Sequence, residues 1–293
     1  MQGRKIFSVF RYQLLPTTTK IQTRIDQLYT SYEDLIEKKN DIFADVVLSD
    51  KTKFKGKGYN VITKIDYVEN EHIFLRMGVH KTINLHDENF IEQKAHNYPN
   101  SMVYINNKKD KQFILIEQEI EAFNKTSVLQ NILMKSINNN LNKYQLSIYI
   151  EKITDISKFW DTIFEYEGRI KMLRFEFIKP NMSNISGKAV QAIKMLRNKS
   201  NSHKTKLELN APEKGVLENL NPDNEEISSL AEYSAKGGGV PMIKIKNYRK
   251  LIKTNKREET IEVDELNIID QPFKKIQKIL NTLFTNKIED KHS

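Results

Sequence analysis

The sequence predicts an α+β fold in two blocks, a mixed N-terminal antiparallel sheet with one long helix and a C-terminal ferredoxin-like split β-α-β sandwich closed by a terminal helix. Three observations carry this. Short alternating apolar runs broken by turn residues fill the first 122 residues, the pattern of antiparallel strands. From Phe123 onward, strand alternation and helical spacing take turns, strand–helix–strand twice over. A chain of 293 residues also has room for two ordinary domains, set here at 1–122 and 123–293.

Residues 4–14 alternate as a strand, with Phe7, Val9 and Tyr12 on related faces. Pro16 and Thr17–Thr19 stop it and offer a helix N-cap. Ile21, Ile25, Leu28, Tyr32 and Leu35 then line one face of a helix ending near Asn40. Beyond the basic loop KTKFKGKG, YNVITKIDYV and HIFLRMGV read as a hairpin, and SMVYINN and KQFILIEQ as a second. The stretch NFIEQKAHNYP between them lacks a strand pattern. A helix spans Phe123–Leu141, its exit marked by Asn138–Asn140.

In the second block YQLSIYIEKI is a strand, ISKFWDTIFEYE a helix and RIKMLRFEFIKP a strand. SGKAVQAIKMLRNK is a helix, HKTKLELNA a strand, and EEISSLAEYSA a short helix with Gly237 as its C-cap. VPMIKIKNY is the next strand, and EETIEVDEL is matched to part of the basic segment that precedes it. From about Gln271, Phe273, Ile276, Leu280, Leu283 and Phe284 form one stripe of a closing helix. That stripe is a candidate surface for a dimer or another protein.

Composition narrows function more than it defines it. No apolar run approaches the roughly 18 residues of a membrane span, and Arg4, Lys5 and Arg11 interrupt any export-signal core. The chain has no cysteine, which removes disulfides, thiol nucleophiles and cysteine-ligated zinc. A reducing cytoplasm fits. Phosphate-binding loops of the P-loop type, nucleophile elbows and H-E-x-x-H are missing from the sequence. His80 and His86 do not have a metal-ligand spacing, and His72 and His203 read as structural. No catalytic set, metal or cofactor is assigned. The acid-x-Lys triplet Glu92–Lys94, with Asp87 upstream, keeps a metal-dependent nuclease open as an alternative.

Charge gives the sharper signal. The net charge is +9, and Lys236–Arg257 alone holds eight basic residues and no acid. These are Lys236, Lys244, Lys246, Arg249, Lys250, Lys253, Lys256 and Arg257, interleaved with Ile243, Ile245, Tyr248 and Leu251. Such a block suits a polyanion, most directly nucleic acid, with DNA preferred to RNA. A solvated hairpin and a surface for an acidic protein are the alternatives. The triple glycine Gly237–Gly239 has no Cβ to keep a phosphate away from the backbone. A second group, Lys51, Lys53, Lys55 and Lys57, surrounds Phe54, a ring suited to stacking on an unpaired base.

Between residues 100 and 265 the element order resembles phage-exclusion and defence proteins of the RexA and KwaB (Kiwa) type. The similar features are the hairpin SMVYINNKKDKQFILIEQ, the helix FNKTSVLQNILMKSINNNL, the strand YQLSIYIEKI and the strand RIKMLRFEFIKPN. The resemblance implies a homodimeric DNA-binding protein of an abortive-infection or antiviral defence system. A partner protein encoded nearby fits the same setting. No individual functional residue carries over.

Overall fold

The computed structural model describes residues 4–21, 28–178, 188–200, 202–254 and 260–264. Strand β1 (Arg4–Pro16) divides its side chains between two cores. Phe10, Tyr12 and Leu14 enter one, while Phe7 and Val9 enter the other. Helix α1 (Tyr32–Leu48) begins and ends later than the apolar spacing predicts. The side chain of Ser31 caps it by accepting from Asp34 N at 3.1 Å, and Asp34 accepts from Thr30 N at 2.8 Å. Asn40, expected at the exit, is buried in mid-helix. Its Nδ2 donates to Asn107 O at 2.6 Å, and Asn107 Nδ2 donates back to Asn40 O at 2.8 Å.

After the two-residue strand β2 (Lys55–Gly56), β3 (Tyr59–Glu69) and β4 (His72–Val79) form the first expected hairpin. Next comes a ribbon that the sequence reading missed, β5 (Lys81–His86) with β6 (Glu92–Asn97). Strands β7 (Asn100–Asn106) and β8 (Phe113–Glu117) form the second expected hairpin. Helix α2 (Thr126–Leu141) and strand β9 (Leu146–Lys152) follow.

The sequence places β9 at the head of a split β-α-β unit. It pairs instead along β1, from Leu146 opposite Pro16 to Lys152 opposite Phe10. Leu146, Ile148 and Ile150 turn into the core that α2 covers. Side chains of α2 satisfy the other edge of β9. Gln130 Nε2 donates to Ile150 O at 2.6 Å, while Asn138 donates to Ile148 O at 2.9 Å and accepts from Ile148 N at 2.7 Å.

A second sheet follows, built from α3 (Ile156–Glu165), β10 (Ile170–Ile178), α4 (Lys188–Ser200), β11 (Lys204–Asn210), α5 (Glu225–Tyr233), β12 (Met242–Ile245) and β13 (Ile252–Lys253). Its strand order is β11-β10-β12-β13. Strands β11 and β12 are both antiparallel to β10 and so run parallel to each other, with α5 in their connection. Phe175, Phe177, Leu173 and Ile243 pack there against Phe159 and Ile163 of α3 and Leu230 of α5. The last described strand, β14 (Thr260–Asp264), does not join the basic segment. It returns to β1, where Ile261 and Val263 pack with Phe7 and Val9.

The class is therefore α+β. The first sheet is a curled half-barrel with order β14-β1-β8-β7-β4-β3-β2, and β9 also sits on β1. Helices α1 and α2 cover one of its faces. Elements beyond residue 122 serve both sheets, since α2, β9 and β14 complete the first. The terminal helix expected from Gln271 lies outside the described residues.

The sheets meet at Gly237–Gly239, all three buried. A π-turn, Ser234–Gly238, follows α5, and Gly237 (φ +90°) and Gly239 (φ +126°) lie in the left-handed region. A Cβ on Gly237 would stand 2.8 Å from Arg11 Cβ, and one on Gly239 would stand 2.3 Å from Glu176 O. The glycines let protein approach protein, which corrects the expectation of a phosphate there. Gly239→Ala combines backbone strain with overlap on a backbone carbonyl, and is expected to cost about 3 kcal/mol. Gly58→Ala, at φ +78° in open space, should cost only about 1 kcal/mol. Urea unfolding of the two variants measures the difference.

Candidate nucleic-acid interface

Alternation along β12 does what the sequence predicts. Ile243 and Ile245 are buried and Lys244 is exposed between them, with Lys246 exposed just past the strand end. A turn tightened by Asn247 at φ +63° then carries Arg249 and Lys250, both exposed. Strand β13 sets Lys253 opposite Met242. Among the described residues none of these five basic side chains has an ion-pair partner. Tyr248 and Leu251 stand exposed beside them. Lys236, on the π-turn, has its Nζ 3.9 Å from Glu232. Lys256 and Arg257 lie outside the described residues.

Tertiary structure adds two lysines that the sequence did not single out. Lys152 ends β9 and Lys125 caps α2. Burial lowers the ammonium pKa of Lys152, and the like charges of Lys253 and then Lys125 lower it further. Three separate elements therefore bring three lysines within electrostatic reach. Helix α2 adds to the positive potential, because its first turn has no acid and no side chain caps it. Only folding could reveal this group, since Lys125 and Lys152 stand singly in mixed sequence.

The rest of the face is neutralised. Glu176 takes Lys204 at 2.5 Å and Lys206 at 3.4 Å, and Arg174 holds Glu208 at 2.7 Å. His203 Nε2 donates to Pro16 O at 2.7 Å and ties the start of β11 to β1, a structural role as expected. Inside the seam Arg11 lies opposite Glu151 in the β1–β9 register. Burial lowers the Arg11 guanidinium from its ordinary value to about 10, with Tyr233 opposing, so it stays charged at neutral pH. The Glu151 carboxyl is raised, first by burial, with Lys204 opposing, Glu176 adding to the rise and Lys253 opposing.

The second basic group lies elsewhere. Lys51, Lys53, Lys55 and Lys57 are exposed around β2, the end strand of the first sheet, where Lys55 N donates to Ser136 Oγ at 3.2 Å. Phe54 is only 4% exposed and belongs to the core under the helices, so it cannot stack on a base. Asp87 closes the β5–β6 turn by accepting from Asn89 N at 2.9 Å and Ile91 N at 3.0 Å, a structural use of that carboxylate. Among the described residues no group of three or more His, Asp or Glu is placed to hold a metal ion. Among the same residues no helix is long and apolar enough to cross a membrane.

Fold and face together define an α+β protein of two joined sheets with a basic strip along the edge of the second. Comparison of the chain with protein-family models, curated proteins and solved structures finds no match.

Because its folded carboxyl binds the proton more tightly than the unfolded chain does, charged Glu151 lowers stability above its raised folded value. That penalty fades as the pH falls toward the ordinary 4.5. Glu151→Gln should therefore raise the unfolding temperature at pH 8, with the gain shrinking toward pH 4. A lowered unfolding temperature at pH 8 would mean that attraction to Lys204 and Lys253 outweighs burial.

Proposed function

We propose that this chain is a non-catalytic nucleic-acid-binding protein, taking DNA in preference to RNA, and that it serves in the cytoplasm as part of a phage defence or exclusion system. One observation carries the binding reading. Among the described residues, Lys244, Lys246, Arg249, Lys250 and Lys253 stand exposed without ion-pair partners, while nearby Lys204, Lys206 and Arg174 are matched to carboxylates. A strip of this kind contacts phosphates, which gives affinity and position without reading sequence. Tyr248 offers a ring at the same strip for stacking on an unpaired base. Lys125 and Lys152 extend the positive field.

The defence setting is supported by the resemblance of the segment 100–265 to phage-exclusion proteins. In the same reading the second sheet is a variant of the ferredoxin-like sandwich. The parallel pair β11 and β12 on either side of β10 supports it.

Fluorescence anisotropy with labelled duplex DNA, single-stranded DNA and RNA tests the reading. Log affinity for duplex should fall linearly with log salt, at about −0.9 per phosphate neutralised. Lys253→Gln should reduce that slope by roughly 1. Replacing Lys244, Lys246, Arg249 and Lys250 with Glu should abolish binding and leave the unfolding temperature unchanged. Unchanged affinity in that variant would remove β12–β13 as the site. Reversing Lys51, Lys53, Lys55 and Lys57 separately shows whether that loop contributes.

A further inference from the structure

Strands β4 and β7 are neighbours in the first sheet, and beyond it the same hairpin continues as β5 and β6, which among the described residues pair only with each other. At the junction His80 Nε2 and His96 Nδ1 are 2.7 Å apart, and His80 stacks on Tyr98 at 5.1 Å. The outcome is a two-stranded arm about 20 Å long. No residue from His80 to Tyr98 is fully buried.

The register sorts the arm into two faces. Ile83 lies opposite Ala95 and Leu85 opposite Gln93, and the same face continues to Asp87 and Ile91. Asn84, His86, Glu92 and Lys94 share the other. That is the alternation of a strand with one covered face. Yet Leu85 is 51%, Ile91 59% and Phe90, at the tip, 87% exposed. A lone two-stranded hairpin is marginal in water and gains from cover on its apolar side. The arm holds Asp87, Glu88 and Glu92 against Lys81 and Lys94, which argues against a polyanion as the cover.

We propose that the arm is a self-association device: its apolar face packs on the same face of a second copy, with the two arms antiparallel about a twofold axis. Charge placement selects this occupant and this direction. The apolar face begins with Lys81 at the base and ends with Asp87 at the tip. Antiparallel packing sets Lys81 against Asp87 of the second copy twice, and Ile83 over Leu85 twice. Parallel packing would set β5 over β6, leaving Lys81 over Asn97 and Asp87 over Ile91, and would gather like charges at each end without pairing opposite ones. Asp87 accepts both turn N–H groups through Oδ1, so both roles are compatible. Such a contact is isologous, as a twofold dimer requires. The two faces bury on the order of 500 Å², below the standard interface size, so the dimer is weak and concentration-dependent.

This inference goes beyond the nucleic-acid reading and does not rest on it, because the test contains no nucleic acid. Sedimentation velocity should show wild type passing from monomer to dimer as concentration rises. Ile83→Asp with Leu85→Asp should abolish the dimer, and Thr82→Asp with Asn84→Asp on the polar face should keep it. Both variants should retain the wild-type unfolding transition, since the arm lies outside the described cores. The chain has no cysteine, so a bismaleimide should cross-link copies of Leu85→Cys and not of Asn84→Cys. A wild type that stays monomeric, an apolar-face variant that stays dimeric, or a dimer broken from the polar face overturns the proposal.

Discussion

The close approach of Gly237–Gly239 to β1 and β10 is the constraint on which the arrangement of the two sheets depends. A side chain at Gly237 would push on Arg11, and one at Gly239 on the carbonyl of Glu176. Hydrogen bonds fix the same joint. Thr154 N donates to Ala235 O at 3.0 Å, His203 to Pro16 O at 2.7 Å, and Tyr233 OH to Ile178 O. With the joint closed, Lys253 of β13 and Lys125 at the start of α2 both come within electrostatic reach of Lys152 at the end of β9. The glycines thus act on the basic strip at a distance. They place it and need not touch a ligand.

Charge is distributed to match that geometry. Near the joint, acids and bases are matched, with Glu176 between Lys204 and Lys206 and Arg174 on Glu208. Removing charges from water is costly, so groups near the seam need partners. At the open edge of the second sheet the bases stand in solvent, where an unmatched lysine costs little. Their mutual field extends outward and is screened by salt. Local basicity at this edge is therefore a property of the fold as much as of composition.

Much of the fold was legible because it rests on local pattern. The hairpins β3–β4 and β7–β8, helices α2, α3 and α5, and the in–out alternation of Ile243, Lys244 and Ile245 follow from periods of two and 3.6. Three kinds of information were not local. A polar residue that looks like a helix end can be bonded in mid-helix, as Asn40 is to Asn107. Strand partners at long separation, β9 and β14 on β1, depend on which core accepts their apolar side chains. Side chains flanked by lysines went both ways, for Phe54 is core and Tyr248 is exposed. The basic block was visible as composition, whereas its junction with Lys125 and Lys152 exists only in three dimensions. The arm β5–β6 escaped notice because His86, Asp87 and Glu88 break the apolar run at its tip.

The most direct measurement is lysine-acetylation footprinting by mass spectrometry, with and without duplex DNA. Lys125, Lys152, Lys244, Lys246 and Lys253 should be protected together by DNA, and protection should disappear at high salt. Lys204 and Lys206, held by Glu176, should change little. Equal reactivity of the five lysines with and without DNA, under conditions where DNA is bound, would contradict the placement of the interface on this strip.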